Sequence, residues 1–203
     1  MFTANVAVSQ KTGFFLDLRE MRRLVKSLAS GRRLLNAFCY TGAFSVAALA
    51  GGAVFAHSVD SSAAALEVAK RTLNLNGFFE ERSRFEVADV FDFLRRPTPA
   101  YDFIILDPPA FAKKKSDVVA ACRGYKDINR LALKKVAEDG LLLTFSCSHF
   151  VDERLFRQVV FQAASEAGRR ARIIQKHRLA LDHPVNIYHP ESEYLKGLLL
   201  YVE

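Results

Sequence analysis

The chain has 203 residues, of which half are hydrophobic and a quarter are charged. This composition fits one globular domain and excludes a disordered, collagen-like or coiled-coil chain. No apolar run is long enough to cross a membrane and no signal-peptide pattern is present, so we expect a soluble, cytoplasmic protein. The three cysteines (Cys39, Cys122 and Cys147) are far apart and outside any CxxC pair, so neither a disulfide framework nor a zinc or other metal site is predicted.

The charge is basic overall but unevenly placed. The sequence has 29 Lys and Arg residues and 22 Asp and Glu residues, which gives a net charge of +7. Residues 11–33 and 113–135 are strongly basic, whereas residues 53–107 carry more acids than bases. This pattern favours a polyanionic partner outside and a pocket for a cationic or hydroxyl-rich ligand inside, although solvated surface lysines would produce the same counts.

Short apolar runs alternate with helix-length segments along the chain. The predicted strands are Leu34–Phe38, Val54–Val59, Phe85–Ala88, Phe103–Leu106, Leu141–Phe145, Arg172–Lys176 and Leu198–Val202. The predicted helices are Asp17–Ala29, Ala43–Leu49, Ala63–Asn76, Val90–Arg95, Cys122–Ala137 and Asp152–Ala167. This alternation predicts a doubly wound α/β fold with a mostly parallel, seven-stranded sheet. We interpret residues 1–10 as an extension left from an upstream β segment and residues 11–203 as one domain.

Chemically capable residues follow five of the predicted strands. A turn with Gly42 comes after the first strand, Asp60 ends the second, and Asp89, Asp107 and Cys147 follow the next three. In an open α/β sheet, ligands bind beyond the carboxyl ends of the strands. The sequence therefore predicts that these residues serve one binding crevice.

The turn and the first acid point to an adenosine-containing cofactor. Asp60 lies at the distance from Gly42 that suits a carboxylate bonded to ribose hydroxyls. Only one glycine is present in the turn, whereas a pyrophosphate needs close backbone approach at several positions. This disfavours a nicotinamide dehydrogenase and favours S-adenosylmethionine, whose sulfonium cation suits an acidic centre. An ordinary strand-to-helix turn is the alternative interpretation of Gly42 alone.

A rigid turn and a basic helix follow the fourth strand. The two prolines of DPPAF (107–111) leave Asp107 and the carbonyls of the turn to accept hydrogen bonds from a planar substrate. Phe111 is predicted to stack on that substrate, or else to be a core residue of a rigid loop. Basic and aromatic residues then alternate in a way that suits single-stranded RNA, or a solvated helix face. The candidate RNA contacts are Pro108, Phe111, Lys113, Arg123, Tyr125 and Lys126.

Cys147 lies in FSCS (145–148), where an apolar run gives way to polar residues. A thiol at such a strand end can act as a nucleophile. Most strand cysteines are instead small buried hydrophobes, and packing stays open as the alternative. Cys39 and Cys122 are interpreted as structural.

Seven segments together resemble a known family. They are KTGFFLDLRE (11–20), LNAFCYTGAFSVAAL (35–49), VDSSAAALEVAKRTLNLNG (59–77), DPPAFAKKK (107–115), RGYKDINRLAL (123–133), FSCS (145–148) and HPESEYLKG (189–197). In their sequences and their order, these segments resemble the Rossmann-like class I methyltransferase domain of the bacterial large-subunit ribosomal RNA cytosine-carbon-5 methyltransferases. Members of that family carry an N-terminal PUA domain and a linking β segment. Neither is found in these 203 residues, which leaves RNA affinity and selectivity open.

The resemblance implies S-adenosylmethionine as cofactor and ribosomal RNA as substrate. It implies that Cys147 adds to carbon 6 of cytosine and that Asp107 holds the ring nitrogen and the exocyclic amine. Asp60 is expected to bind the ribose and Asp89 the adenine amine, while Tyr40 with Gly42 would hold the methionine part. The other implied cofactor contacts are Phe15, Asp17, Arg19, Arg22, Asn36 and Ser61.

Two other functions stay open on the sequence. An Asp-Pro-Pro turn followed by an aromatic residue also suits methylation of an exocyclic amine on adenine or guanine, in which case Cys147 would be dispensable. A non-catalytic RNA-binding module with the same fold would bind RNA but no S-adenosylmethionine. Ribosomal RNA is the expected partner, no membrane partner is expected, and a homodimer is one candidate for the oligomeric state.

Overall fold

The computed structural model describes residues 15–78, 80–97, 99–189 and 192–203. They form two compact units, the first reaching to Asp89 with the addition of Arg178–Pro184, and the second comprising Val90–His177 and Val185–Glu203. The predicted extension over residues 1–10 lies outside the described residues. The predicted single domain over 11–203 stays a prediction.

The described part of the first unit is a parallel sheet with three α-helices. Its elements are α1 (Arg19–Leu28), β1 (Arg33–Ala37), α2 (Ala43–Ala50), β2 (Phe55–Asp60), α3 (Ala63–Leu75) and β3 (Ser83–Val87). The strands pair in the order β3-β2-β1. Ser62 caps α3 by accepting a hydrogen bond from the Ala65 N–H, and the helix is followed by Gly77 at a φ of 74°. These are ordinary start and stop signals, so the predicted end of this helix at Asn76-Gly77 is confirmed to within one residue.

The described residues of the second unit form three α-helices and four strands. Its elements are α4 (Val90–Arg95), β4 (Tyr101–Leu106), α5 (Val118–Leu133), β5 (Val136–Ser146), α6 (Glu153–Ala167), β6 (Ala171–Lys176) and β7 (Lys196–Val202). The strand order is β4-β5-β7-β6, with β4 and β5 parallel and β7 antiparallel to both of its neighbours. Asp152 caps α6 and Gly168 ends it at a φ of 68°, so the predicted helix range Asp152–Ala167 is confirmed to within one residue.

Each predicted strand and helix overlaps an observed element of the same type, but α5 is shifted. It was expected at Cys122–Ala137 and instead covers Val118–Leu133. The start moves because Asp117 accepts hydrogen bonds from two backbone N–H groups just ahead of it, at Lys113 and Lys114. The end moves because Val136 pairs with Tyr101 of β4, which draws the following residues into a strand.

The two outer strands of these sheets are more exposed than the sequence pattern suggests. In β3 only the first of the five residues is buried, and in β6 five of the six residues are exposed. Each of these strands has a neighbour on one side only in its own unit. By contrast, β1 and β4 are almost fully buried, as near-continuous apolar runs predict for inner parallel strands.

Gly42 has a packing role that its sequence context does not reveal. It lies at the N-cap of α2 with a φ of 76°. A Cβ atom at this position would lie 2.9 Å from the Cβ of Ala69 on α3. The space of the missing side chain is therefore filled by a helix, whereas the sequence suggested that it was left for a ligand.

We predict that Gly42→Ala destabilises the protein more than Gly77→Ala. Gly77 has a similar φ, of 74°, but a Cβ there meets no atom of the described residues within 4 Å. The control therefore measures the left-handed backbone alone, at about 1–2 kcal/mol. Gly42→Ala adds the collision with Ala69 and is expected to cost about 1–3 kcal/mol more. Urea unfolding of the two variants tests this, and equal losses would show that the contact with Ala69 relaxes freely.

Candidate active site

The loop between β1 and α2 is held in an unusual backbone conformation. Phe38, Tyr40 and Gly42 have φ values of 59°, 47° and 76°. Positive φ is costly for residues other than glycine, and it persists where the surroundings impose it, often at ligand sites. Here the Cys39 N–H is bound to the carbonyl of Val59, and the Tyr40 N–H to the carboxylate of Asp60.

Asp60 connects this loop to the end of β2. One of its carboxylate oxygens accepts from the Tyr40 N–H at 2.8 Å and the other accepts from the Ser62 N–H at 2.9 Å. Each carboxylate oxygen can accept a further hydrogen bond. Asp60 is half-buried and its neighbour Ser61 is exposed. The carboxylate is therefore fixed in place with capacity left for a pair of hydroxyl groups.

Tyr40 brings a second feature that suits a polar ligand. Its hydroxyl oxygen is buried and has no hydrogen-bond partner among the described residues. Its ring meets the ring of Phe15 edge to face, with 5.7 Å between centroids. A buried hydroxyl without a partner is costly, and a bound polar group would relieve that cost. Together with Asp60, this donor and acceptor set fits an adenosine and amino-acid cofactor.

Asp89 lies at the same edge of the first unit as Asp60. Val87 pairs with Asp60 in the β2–β3 ladder, and the Ala88 N–H donates to the Asp60 carbonyl. Asp89 is the next residue and is exposed. Two of the predicted cofactor contacts are thus brought to neighbouring strand ends.

Asn36 is placed differently from its predicted role as a cofactor contact. It is 1% exposed, and its amide donates to the Ser45 hydroxyl at 2.9 Å. Ser45 in turn shares a hydrogen bond with Ser58. These three side chains join β1, α2 and β2 inside the first unit. Asn36 therefore supports the loop from beneath, which the sequence pattern could not distinguish from direct contact.

The predicted contacts from the N-terminal motif divide into two groups. Phe15 lies against Tyr40, and buried Arg22 donates to the Phe15 carbonyl at 2.7 Å. Asp17 is buried as well. Arg19 forms an ion pair with Asp182, at 2.6 Å. In this structure Phe15 contacts the loop itself, while Arg22 acts through Phe15 and Arg19 is engaged elsewhere in the unit.

In the second unit, the Asp-Pro-Pro turn and Cys147 meet at the ends of β4 and β5. Leu106 and Thr144 are paired in the parallel ladder, so the residues that follow leave from the same edge. The Cys147 Sγ atom lies 3.7 Å from the carbonyl oxygen of Pro108. Both Cys147 and Asp107 are half-buried. The structure therefore brings together the predicted nucleophile and the turn that begins with Asp107.

The other two thiols, Cys39 and Cys122, lie in settings that disfavour the thiolate form. Cys39 is buried in the first unit, and burial raises its pKa well above the ordinary value. Burial also raises the pKa of Cys122. A raised pKa leaves less of the reactive thiolate, which is consistent with a structural role for both.

Ser148 clamps the turn against the end of β5. Its buried hydroxyl accepts from the Ala112 N–H at 3.0 Å and shares a hydrogen bond of 2.9 Å with the Tyr125 hydroxyl. Burial raises the pKa of Tyr125, so its hydroxyl stays protonated. Three segments of the second unit are thus joined next to Cys147.

The prediction of Tyr125 as an RNA contact is corrected by this arrangement. Tyr125 is 0% exposed, and its ring packs on Phe111 at 4.6 Å and on Phe156 at 5.6 Å between centroids. The alternation of charges and aromatics in the sequence was misleading, because the aromatic position faces the core of the unit while the charged positions face outward. Phe111 also contacts Phe91 and stays half-exposed.

The other predicted RNA contacts differ in how available they are. Lys113 and Arg123 are exposed, whereas Pro108 is buried and its carbonyl oxygen contacts the thiol of Cys147. Lys126 forms an ion pair with Glu166 of α6 at 2.6 Å. This pair largely cancels the charge at residue 126, so Lys113 and Arg123 are the better placed cations for a polyanion.

Lys196 is a residue of this site that the sequence interpretation missed. It lies opposite Ser146 in the β5–β7 ladder, and its Nζ atom donates to the carbonyls of Ser148 and Tyr194, both at 2.6 Å. A lysine at the start of an apolar strand was the available signal. The register of the strand pair, which places it beside Cys147, could not be derived from the sequence.

The described parts of the chain contain neither a cluster of metal-binding side chains nor a membrane-spanning helix. No group of three or more His, Cys, Asp or Glu residues there could hold a metal ion. No helix within the described ranges is long and apolar enough to cross a membrane.

Comparison with known proteins identifies the family. A family profile described as S-adenosylmethionine-dependent methyltransferase matches residues 1–166. The chain belongs to this family. The predicted cofactor, S-adenosylmethionine, is therefore confirmed at the level of the family.

Relatives and solved structures agree with this assignment. The chain is 46% identical over 201 residues to the ribosomal RNA large subunit methyltransferase I of Tolumonas auensis, covering 98% of this chain and 51% of the relative. It is 46% identical over 193 residues to the enzyme of the same name from Aeromonas hydrophila, covering 94% of this chain and 49% of that relative. The chain thus spans about half the length of these curated relatives.

Two solved structures confirm the predicted fold class, an α/β, Rossmann-like methyltransferase fold. The methyltransferase SMU.776 complexed with SAH matches with a TM-score of 0.85 and 30% identity, over 96% of this chain and 51% of that one. A SAM-dependent methyltransferase from Streptococcus mutans matches with a TM-score of 0.84 and 29% identity over the same shares. The bound SAH of the first structure is the product form of the cofactor.

We predict that Ser148→Ala destabilises the second unit more than Tyr125→Phe does. Ser148→Ala leaves the Ala112 N–H and the Tyr125 hydroxyl buried without their partner, at a cost of about 2 kcal/mol. Tyr125→Phe removes one hydroxyl while Ser148 keeps Ala112, at a cost of about 1 kcal/mol. Urea unfolding followed by circular dichroism measures both. The double variant should lose less than the sum, and simple additivity would refute a shared network.

Proposed function

We propose that the chain carries the catalytic part of an enzyme that forms 5-methylcytosine in large-subunit ribosomal RNA. The observation that carries this proposal is the position of the Cys147 thiol, half-buried and 3.7 Å from the carbonyl of Pro108, beside the turn that starts at Asp107. The names of the relatives, ribosomal RNA large subunit methyltransferase I, support the substrate class.

Carbon 5 of cytosine is a poor nucleophile until a group adds to carbon 6, and Cys147 supplies that group. Its thiolate forms a bond to carbon 6, and the electrons of the 5,6 double bond move to carbon 5. S-adenosylmethionine, when bound, supplies an electrophilic methyl group to the activated carbon. A base then takes the proton from carbon 5, the double bond re-forms, and the bond between carbon 6 and sulfur breaks to return the thiolate.

Asp107 is proposed to hold the cytosine ring during this sequence. It follows β4 directly and is half-buried beside the rigid Pro108-Pro109 segment. Its carboxyl group would accept a hydrogen bond from the exocyclic amine and share a proton with the ring nitrogen, which would orient carbon 6 toward the thiolate and stabilise the charge of the adduct. The turn has no N–H groups at its two prolines, so it presents only acceptors at these positions.

The cofactor contacts are proposed to lie in the first unit. Asp60 binds the ribose hydroxyls through the acceptor capacity left by Tyr40 and Ser62. The Tyr40 hydroxyl binds the methionine part, together with the backbone at Gly42, and Asp89 binds the adenine amine. Phe15 and Ser61 border the same loop and strand end. Asp17 and Arg22 support this region through buried positions.

The RNA is proposed to meet the exposed basic surface at Lys113 and Arg123, with Phe111 against an unstacked base. The target base has to leave its stack to reach a thiol at a strand end, which costs a few kcal/mol and is cheapest in an RNA loop. An enzyme with this substrate acts in the cytoplasm, where ribosomes are assembled. The catalytic domain over 11–203 and a homodimer stay predictions.

We predict that Cys147→Ala abolishes the formation of 5-methylcytosine. The chain is incubated with unmodified large-subunit ribosomal RNA and S-adenosylmethionine carrying a deuterated methyl group. The RNA is then digested and its nucleosides are analysed by mass spectrometry. Cys122→Ala is the matched control, because it removes another half-buried thiol of the same unit. It should retain labelled 5-methylcytidine.

Three results of this assay would contradict the proposal. Label that survives in Cys147→Ala would exclude the cysteine adduct. Label on an exocyclic amine of adenine or guanine would identify an amine methyltransferase. Complete absence of label in the unmodified chain would show that these residues do not suffice for the reaction.

We predict that Asp60→Asn weakens binding of S-adenosylhomocysteine at least about tenfold, or about 1.4 kcal/mol. The amide keeps one oxygen for one of the two backbone N–H groups, whereas its NH2 group cannot accept from the other N–H or from the ribose, and the negative charge is lost. Isothermal titration calorimetry gives the dissociation constants. Glu67→Gln is the control, since Glu67 is an exposed acid on α3 of the same unit. Equal affinities in Asp60→Asn and the unmodified protein would remove Asp60 from the cofactor site.

A further inference from the structure

Lys196 is an unusual residue for its position in the fold. It begins β7, whose following residues are almost all buried and apolar. Its side chain turns to the end of β5, where Nζ donates to the carbonyl of Ser148, the residue directly after Cys147. A second hydrogen bond goes to the carbonyl of Tyr194. An ammonium group has three donors, so one is left.

Among the described residues, no carboxylate contacts the ammonium group of Lys196 directly. Both of its hydrogen-bond acceptors in the described structure are neutral carbonyls. Burial lowers the pKa of Lys196, while the negative charges of Cys147 and Asp152 act in the opposite direction and raise it. Asp152 is exposed and already accepts the Leu155 N–H as the cap of α6. Cys147 is therefore the half-buried group that can gain most from this cation.

We propose that Lys196 is a positioning residue that holds a positive charge beside Cys147 and so favours its thiolate form. This inference rests on the proposed function, in which the thiolate is the nucleophile. The two carbonyl acceptors fix the ammonium group at the end of β5, so the charge stays close to the sulfur without forming a bond to a carboxylate. A nearby cation is one of the main ways in which proteins lower the pKa of a thiol.

Three other groups near the sulfur do not favour the thiolate. The carbonyl of Pro108, at 3.7 Å, accepts from the protonated thiol and disfavours the thiolate. Tyr125 of α5 contributes a neutral hydroxyl, because burial raises its pKa. Asp152 at the start of α6 carries a negative charge that reduces the effect of Lys196. Among these groups, Lys196 is the one whose charge favours the thiolate.

The test measures the reactivity of Cys147 against pH. The full chain is treated with iodoacetamide between pH 5 and 10, and alkylation of the peptide that contains Cys147 is followed by mass spectrometry, which separates it from Cys39 and Cys122. The variants are Lys196→Gln, which keeps hydrogen-bond donors without the charge, and Lys196→Arg, which keeps the charge. Lys134→Gln is the control for loss of an exposed lysine in the same unit.

We expect Lys196→Gln to raise the pH midpoint of Cys147 alkylation by about one unit, the lower end of the effect of a nearby opposite charge. At neutral pH its alkylation and its methylation of RNA should both be about tenfold slower, and both should recover as the pH rises. Lys196→Arg should shift the midpoint by less than half as much, and Lys134→Gln should leave it unchanged. A role that is only structural would alter thermal stability without moving this midpoint.

An unchanged midpoint in Lys196→Gln would overturn the inference, and so would equal shifts in the Gln and Arg variants. These outcomes do not depend on the proposed reaction, because alkylation requires neither RNA nor cofactor. If Cys147→Ala still forms 5-methylcytosine, the proposed function fails, whereas the alkylation midpoints still decide whether Lys196 acts on the thiol. The two failures are therefore distinguishable.

Discussion

Parallel pairing of strands is the constraint on which both candidate half-sites depend. In the first unit, β1, β2 and β3 run in the same direction, and in the second unit β4 and β5 do so. Parallel strands cannot be joined by a tight turn, so each is followed by a loop and a helix before the next begins. Within each unit the loops that follow these strands therefore leave from one edge. Polar residues that directly follow buried strands therefore lie close together at this edge. Strand pairing alone brings them there, and no specific contact between their side chains is required.

The same device fixes the loop geometry in both units. In each unit, a side-chain oxygen just after one strand accepts a hydrogen bond from a backbone N–H in the loop that follows the neighbouring strand. Asp60 after β2 holds Tyr40 in the loop after β1, and Ser148 after β5 holds Ala112 in the loop after β4. In each case the acceptor has a second partner, Ser62 or Tyr125. Both loops are thus tied to a rigid strand through a short hydrogen-bond network, which preorganises them for binding.

The sequence predicted the strand ends well because burial of inner strands leaves a strong apolar signal. Asp60, Asp107 and Cys147 were located by that signal alone. It could not locate Asn36 or Tyr125, since a polar or aromatic side chain near a strand end or on a helix has the same letter whether it faces a crevice or the core. Lys196 was missed because its proximity to Cys147 depends on the register of an antiparallel pair between segments far apart in the chain. The shift of α5 depends likewise on a pairing with β4.

The contact between Gly42 and Ala69 links two parts of the first unit that have no shared chemistry. Ala69 is fully buried in the middle of α3, where its methyl group sets how closely the helix approaches the loop that begins α2. A larger side chain at residue 69 would press on the strained backbone next to Tyr40. The close approach of α3 to this loop therefore leaves room at residue 69 for only the smallest side chains, so a residue in the middle of a helix limits the shape of a loop that lies far from it in the chain.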